Sequence, residues 1–340
     1  MKKIGNGTYF IDKKIYFSNA YSIVGEKEAN GPFGKYFSNI IHDDTLGEKS
    51  FEKAERKLHT LALCGLLKNS KMIDSDIDAI ISGDLMNQLI TTNYSARNFN
   101  TPLLGVYSAC SSYTEALIIG CLMLDSGAAK NVIAIAGSHF SAAERQYRNP
   151  LEFGNQRQSY SQWTVTGMGA TLLSCNCKTT CPCLTHFTIG KVVDYGIKDI
   201  ANMGAAMAPA AMSTLLEFFN DTHTVPDDYD LIATGDLGKL GSDILKDLMI
   251  EAGLPLGQNY TDCGHMIYSS LQNSFQGGSG AGASASICNS YIYQKLKKGE
   301  LKKVILVATG ALMSVTTVQQ GDSIPCIAHL VCFEGVDKNV

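Results

Sequence analysis

This 340-residue chain predicts an internally duplicated α/β fold, with two sheets laid around central buried helices, and three observations carry that expectation. The first is Val106–Leu124, which starts as a strand end, passes through small residues around Cys110, and continues as a helix so apolar on all sides that it must be buried. The second is a repeat: Ile77–Leu85, a short apolar strand closing on Gly-Asp-Leu, returns as Tyr229–Leu237 with the same ending. The third is another repeat in the same order, Lys130–Ser138 matching Lys303–Ala311. The spacing between partners grows from the first pair to the second, which places an insertion around Tyr260–Gly280. Apolar strands alternating with helices point to sheets covered on both faces.

In chain order, strand-like runs stand at Ile15–Phe17 and Tyr21–Val24, and the glycine-rich, charged stretch 25–48 reads as a long connection. Ser50 is placed to cap a helix whose apolar face is Phe51, Ala54, Leu58, Leu61, Ala62 and Gly65, leading into the 77–85 strand. Ala170–Ser174 and His186–Val193 read as the two strands of a hairpin at the join between an N-terminal half, 1–180, and a C-terminal half, 181–340. Ala206–Asn220 is the helix candidate of the second half, with Pro209 near its start, where the missing N–H costs nothing. The second half's buried helix starts near Ala283 and would pack against the one from Cys110.

Composition narrows the function classes. An apolar fraction of 45% and a charged fraction of 18% describe a large packed core rather than disorder. A net charge of −4 and a pI near 6.0 give no pull toward nucleic acid or anionic lipid. The N-terminus lacks the apolar core of a signal peptide and no run of apolar residues is long enough to span a bilayer, so any membrane contact is expected through a partner or a surface patch. Eleven cysteines, several of them (Cys64, Cys121, Cys288, Cys332) inside apolar runs, read as reduced core residues of an intracellular protein.

Cys110, at the first turn of a buried helix, sits where free N–H groups and the helix dipole would stabilise a thiolate. With this cysteine and the two matching halves, the chain resembles the thiolase fold. The segments Val106-Tyr-Ser-Ala-Cys-Ser-Ser-Tyr-Thr-Glu-Ala, Glu144-Arg-Gln-Tyr-Arg-Asn-Pro, Thr164-Val-Thr-Gly-Met-Gly-Ala, Asn202-Met-Gly-Ala-Ala-Met-Ala-Pro-Ala, Gln276-Gly-Gly-Ser-Gly and Pro325-Cys-Ile-Ala-His narrow it further. Together they resemble the stage V sporulation protein AD family, the thiolase-like component of the spore's dipicolinic acid machinery. The resemblance implies a subunit that binds dipicolinic acid and docks on integral membrane subunits of the same complex, for uptake in sporulation and release in germination. It also implies a peripheral position on the forespore or spore inner membrane, and a homodimer formed through Pro102–Tyr107.

Condensing enzymes of the thiolase fold pair their cysteine with two groups from the second half, His/His or His/Asn. The equivalent places here hold Asp236 and the Gly277–Gly280 turn, without an imidazole, so condensation is not expected and no cofactor is invoked. The expected ligand-lining residues are Cys110, Asp84, His139, Asp236, Gly278 and Ser279, with backbone N–H groups suited to an anion. Asp84 and Asp236 would repel a bare dianion, which suggests a calcium chelate or carboxylates tied up by local N–H groups. A condensing or acyl-transfer enzyme using Cys110 is the alternative.

Arg145, Arg148 and Arg157 share one long connection, where a guanidinium fork reaches the ligand or pairs with Glu144 and Glu152. His265 and His329 read as structural. In a hairpin centred on Thr179, Cys175 would oppose Cys183 and Cys177 would oppose Cys181, all four thiols sharing one face. That permits a metal, disulfides, or a plain exposed turn.

Overall fold

The structure, a computed structural model, describes residues 1–147, 158–177 and 180–337. The first half contributes strands β1 (Thr8–Gly25), β2 (Ala79–Gly83), β3 (Leu103–Gly105), β4 (Asn131–Ser138) and β5 (Gly167–Ser174). The second contributes β6 (Cys183–Thr188), β7 (Leu231–Thr234), β8 (Tyr260–Asp262), β9 (Lys303–Ala311) and β10 (Cys326–Glu334). Across the sheet they run β8-β7-β9-β10-β6-β1-β5-β4-β2-β3. Counted within each half, both follow one order: third, second, fourth, fifth, first. The two sequence repeats are thus equivalent strands, β2 with β7 and β4 with β9.

One strand joins the halves. The start of β1 pairs antiparallel with β6 (Phe10 opposite His186), and its end pairs with β5 (Val24 opposite Gly167). Register breaks between Phe10 and Ile15 and between Phe17 and Asn19 mark the transfer. Ser174 and Cys183 both face Tyr16, so the expected hairpin between β5 and β6 is not formed. The physical reason is that β1 lies between the two strands and takes the backbone groups of both.

The helices that frame the site and the cores are α1 (Phe51–Ser70), α2 (Ile90–Ala96), α3 (Ser112–Asp125), α4 (Met203–Thr222), α5 (Gly238–Glu251) and α6 (Ala281–Ile287). A π-turn at Cys288–Ile292 prolongs α6. The apolar helices α3 and α6 touch each other in the central core; α3 lies against β2 and β4 but also β9 and β10, so it is buried by both halves. A second core lies under α1 and a third under α4 and α5. Ser50 caps α1 by accepting from Lys53 N–H, as its sequence position predicts.

Two expectations shift. The 25–48 connection contains a helical turn at Glu26–Ala29, a 3-10 turn at Gly34–Tyr36 and a short strand at Asn39–Ile41 that pairs with β1. Helix α4 starts earlier than expected because the Asn202 side chain caps it from Ala205 N–H, which leaves Pro209 inside the helix. The extra residues of the second half fall mainly between β8 and α6, as the growing repeat spacing requires.

A closed polar triangle ties the central layer together. Thr171 Oγ1 on β5 donates to Asn289 Oδ1 at 2.7 Å, Asn289 Nδ2 donates to the Tyr113 hydroxyl at 2.8 Å, and that hydroxyl lies 2.7 Å from Thr171 Oγ1. All three side chains are buried, so removing one partner strands the others. Thr171→Val keeps the shape and deletes the hydroxyl; it is expected to lower unfolding free energy by about 1–3 kcal/mol, read as a lower urea midpoint at unchanged m-value.

Candidate functional site

The site forms where the start of the first buried helix meets loops of the second half. After β3 the chain turns sharply: Ala109 holds φ of +51°, a left-handed conformation unusual for a residue with a Cβ, and Ala109–Ser111 form a 3-10 turn into α3. The Ser112 hydroxyl accepts Ser108 N–H at 3.1 Å and donates to Ala109 carbonyl at 2.7 Å, fixing this elbow. Gly310, near the end of β9, abuts it so closely that a Cβ there would stand 2.0 Å from Ser108 O. Cys110 is 5% exposed.

Asp236 follows β7 and faces Cys110. Its Oδ2 accepts Gly280 N–H at 2.8 Å and its Oδ1 accepts the Thr309 hydroxyl at 3.1 Å, and its carboxyl acts electrostatically on the Cys110 thiol. Gly282 N–H donates to Ser138 Oγ at 3.1 Å. These N–H groups at the start of α6, expected to greet an anion, are therefore already occupied by internal acceptors. Glu144 completes the wall: its Oε2 accepts the Ser279 hydroxyl at 2.7 Å and the Thr164 hydroxyl.

The electrostatics overturn the expected thiolate. Burial pushes the Cys110 thiol well above its ordinary pKa, and the Asp236 and Glu144 carboxyls push it the same way. Burial also raises Asp236 to about 8. Both shifts come first from burial: the thiol and the carboxyl are each made weaker acids, and a thiolate at Cys110 is disfavoured.

Of the expected ligand-lining residues, the structure brings together Cys110, Asp236, Gly278 and Ser279; the Gly278 carbonyl and the Asp236 carbonyl both accept from Gln162 Nε2. Asp84 does not join them. It is fully buried and accepts Met86 N–H and Thr92 N–H, both at 2.8 Å, so it orders the start of α2. His139 also stands apart: its Nε2 lies 2.8 Å from Asp44 O, its Nδ1 accepts Ser141 N–H, and its ring packs on Phe51 and Phe140.

His329 is in the core, where its Nδ1 accepts Gly190 N–H and burial lowers its pKa to about 4. His265 is exposed on the short helix Cys263–Ile267. Arg148 and Arg157 lie outside the described residues. Cys177 and Cys181 are joined by a disulfide, whereas the Cys175 thiol points to Leu124 O and the Cys183 thiol to Glu334. The four do not converge, because their strands flank β1, and among the described residues no group of His, Cys, Asp or Glu is arranged to hold a metal.

Sequence reasoning missed Glu144 as a wall of the site, along with Thr309, Tyr107, Tyr147, Met203 and Met313. The cavity at Cys110 is narrow, about 40 Å³, room for about one water. Through a wall shared by Leu85, Asn87, Ala143 and Gln146 it adjoins a wider cleft of about 300 Å³ lined also by Glu52, Met86, Ala142 and Arg145.

Duplicated half-sheets around two buried helices, with a cysteine elbow at the join, define the thiolase-like class, and solved structures agree. The fold matches 3-oxoacyl-[acyl-carrier-protein] synthase III of Aquifex aeolicus (TM-score 0.54, 14% identity, 97% of this chain and 98% of that one). It likewise matches human mitochondrial 3-ketoacyl-CoA thiolase (TM-score 0.57, 12% identity, 97% and 100%) and Xanthomonas campestris OleA (TM-score 0.57, 12% identity, 95% and 97%). Within that class the chain belongs to the stage V sporulation protein AD family, whose sequence profile matches residues 5–334. It is 42% identical to stage V sporulation protein AD of Bacillus subtilis (strain 168) over 335 residues, 98% of each chain.

Two measurements check the site's chemistry. Asp236 binds its proton up to about pH 8 when folded but only to about pH 3.9 when unfolded, so its stabilising contribution is full below pH 4 and is lost as pH rises to 8. Asp236→Asn is expected to remove a decline approaching 1.4 kcal/mol per pH unit in that window, read from urea unfolding of both proteins at pH 5, 6.5 and 8. Iodoacetamide at pH 8 is expected to modify Cys110, followed by peptide mass mapping, more slowly than free cysteine. Faster modification means that a thiolate is present.

Proposed function

We propose that this chain is a non-catalytic binding subunit for dipicolinic acid or its calcium chelate. It works with integral membrane subunits of a spore inner-membrane complex, in uptake during sporulation and release in germination. One feature carries the non-catalytic part: Cys110 is buried beside the Asp236 and Glu144 carboxyls, and burial first and these carboxyls second push its thiol well above its ordinary pKa, so no thiolate nucleophile stands ready where condensing enzymes need one. The ligand class follows from the family resemblance and from the cleft beside this pair. Its volume falls at the lower bound of small-molecule sites, about 300 Å³.

Membrane association would run through partner subunits, since among the described residues no helix is long and apolar enough to cross a bilayer. Dimer formation would use β3, the edge of the sheet, where Leu104 is 45% exposed.

The alternative, acyl transfer through Cys110, is favoured by the retained left-handed elbow at Ala109 and by a protonated Asp236, which is able to donate to an oxyanion. Incubation with acyl-CoA followed by intact mass measurement separates the two readings. The expected result is no adduct, together with calorimetric binding of dipicolinate. An acyl adduct on Cys110 supports the enzyme, and absence of any dipicolinate binding removes the binder.

A further inference from the structure

We infer that Arg145 is the carboxylate-recognising group of this site, and that the wider cleft it lines, not the chamber at Cys110, holds a small planar aromatic carboxylate. This rests on the binding reading above and specifies where and how it is met.

Three features exclude the anionic edge from the inner chamber. Its volume of about 40 Å³ does not take a six-membered ring. The Gly280 and Gly282 N–H groups are spent on Asp236 and Ser138. Its walls carry the Glu144 and Asp236 carboxyl groups, whose oxygens already accept hydrogen bonds from Thr164, Ser279, Gly280 and Thr309.

The outer cleft has the opposite character. Leu85–Asn87 follow β2 and Ala142–Gln146 follow β4, two adjacent parallel strands, so the cleft lies beyond the carboxyl ends of the strands, where open α/β sheets hold their ligands. Leu85, Met86, Ala142 and Ala143 give a flat ring apolar contact, and the amides of Asn87 and Gln146 flank it. Arg145 supplies the cation. Among the described residues its guanidinium enters no ion pair, although Glu52 lines the same cleft. A planar fork without a partner matches a carboxylate in two parallel N–H···O bonds, which a lysine cannot reproduce.

Calorimetry of the full chain with dipicolinate tests this, with Arg145→Met, Arg145→Lys and, as a charge-matched control outside the cleft, Lys246→Met. Thermal melts confirm folding of each. The expected result is at least tenfold weaker binding for Arg145→Met, an intermediate loss for Arg145→Lys, and wild-type affinity for Lys246→Met. Should Arg145→Met not fold, the Arg145→Lys loss decides alone. Wild-type affinity in the Arg145 variants overturns this inference and leaves the binding reading standing. Equal weakening in all three variants overturns it too, because the charge effect is then not local. Failure of the wild-type chain to bind dipicolinate overturns the binding reading itself.

Discussion

Everything in this molecule turns on the close approach of two buried helix starts. The turn before α6 runs through Gly280, at φ of +92°, where a Cβ would stand 2.5 Å from Ser138 Oγ. At this distance the backbone N–H groups of Gly280 and Gly282 cannot reach water, and a buried unpaired N–H costs as much as a lost hydrogen bond. Asp236 and Ser138 satisfy them from two different halves of the chain, while Ser138 Oγ also donates to Val165 O at 2.7 Å. The halves are therefore held in register by the very groups that a catalytic centre would leave free for its substrate.

A second consequence is electrostatic. Carboxyls drawn into this interior become weaker acids: burial raises Asp236 to about 8 and Glu28 to about 7, and lifts Glu55 well above its ordinary range. Each is bound to hydroxyl or backbone donors, Glu28 to Tyr268 and Thr166 and Glu55 to Thr91. A cysteine set among such groups becomes a neutral donor. The elbow geometry survives, and the chemistry it would serve does not follow from geometry alone.

The duplicated fold was legible because apolar strands repeat in order and a buried helix is apolar all round. Strand pairing was less legible: that β1 separates β5 from β6 is a choice among non-local partners, which no local pattern encodes. The Gly-Asp-Leu repeat points to two equivalent aspartates, but only Asp236 stands beside Cys110 and Gly280. In the second half the N–H groups that follow the strand, Leu237 and Gly238, are taken by Asp262, which frees Asp236 to turn toward Gly280. In the first half Asp84 must do that local work itself, on Met86 and Thr92. Glu144 escaped notice because its partner Ser279 lies 135 positions away, and its own neighbours suggested an arginine pair instead.

The same accounting of donors underlies the proposal that a ligand is met away from the cysteine. Inside, the hydroxyls of Thr164, Ser279 and Thr309 and the N–H groups of Gly280 and Gly282 are all directed at acceptors of the chain itself. A ligand entering there would have to break bonds that hold the halves together, and each broken buried bond costs about 1–3 kcal/mol. Recognition must instead draw on groups with nothing to lose. The groups that line the outer cleft lie one layer outward, on the loops after β2 and β4. The cysteine, buried beside an acid, thus belongs to the interior that holds the halves together, and the open cleft lies at its rim.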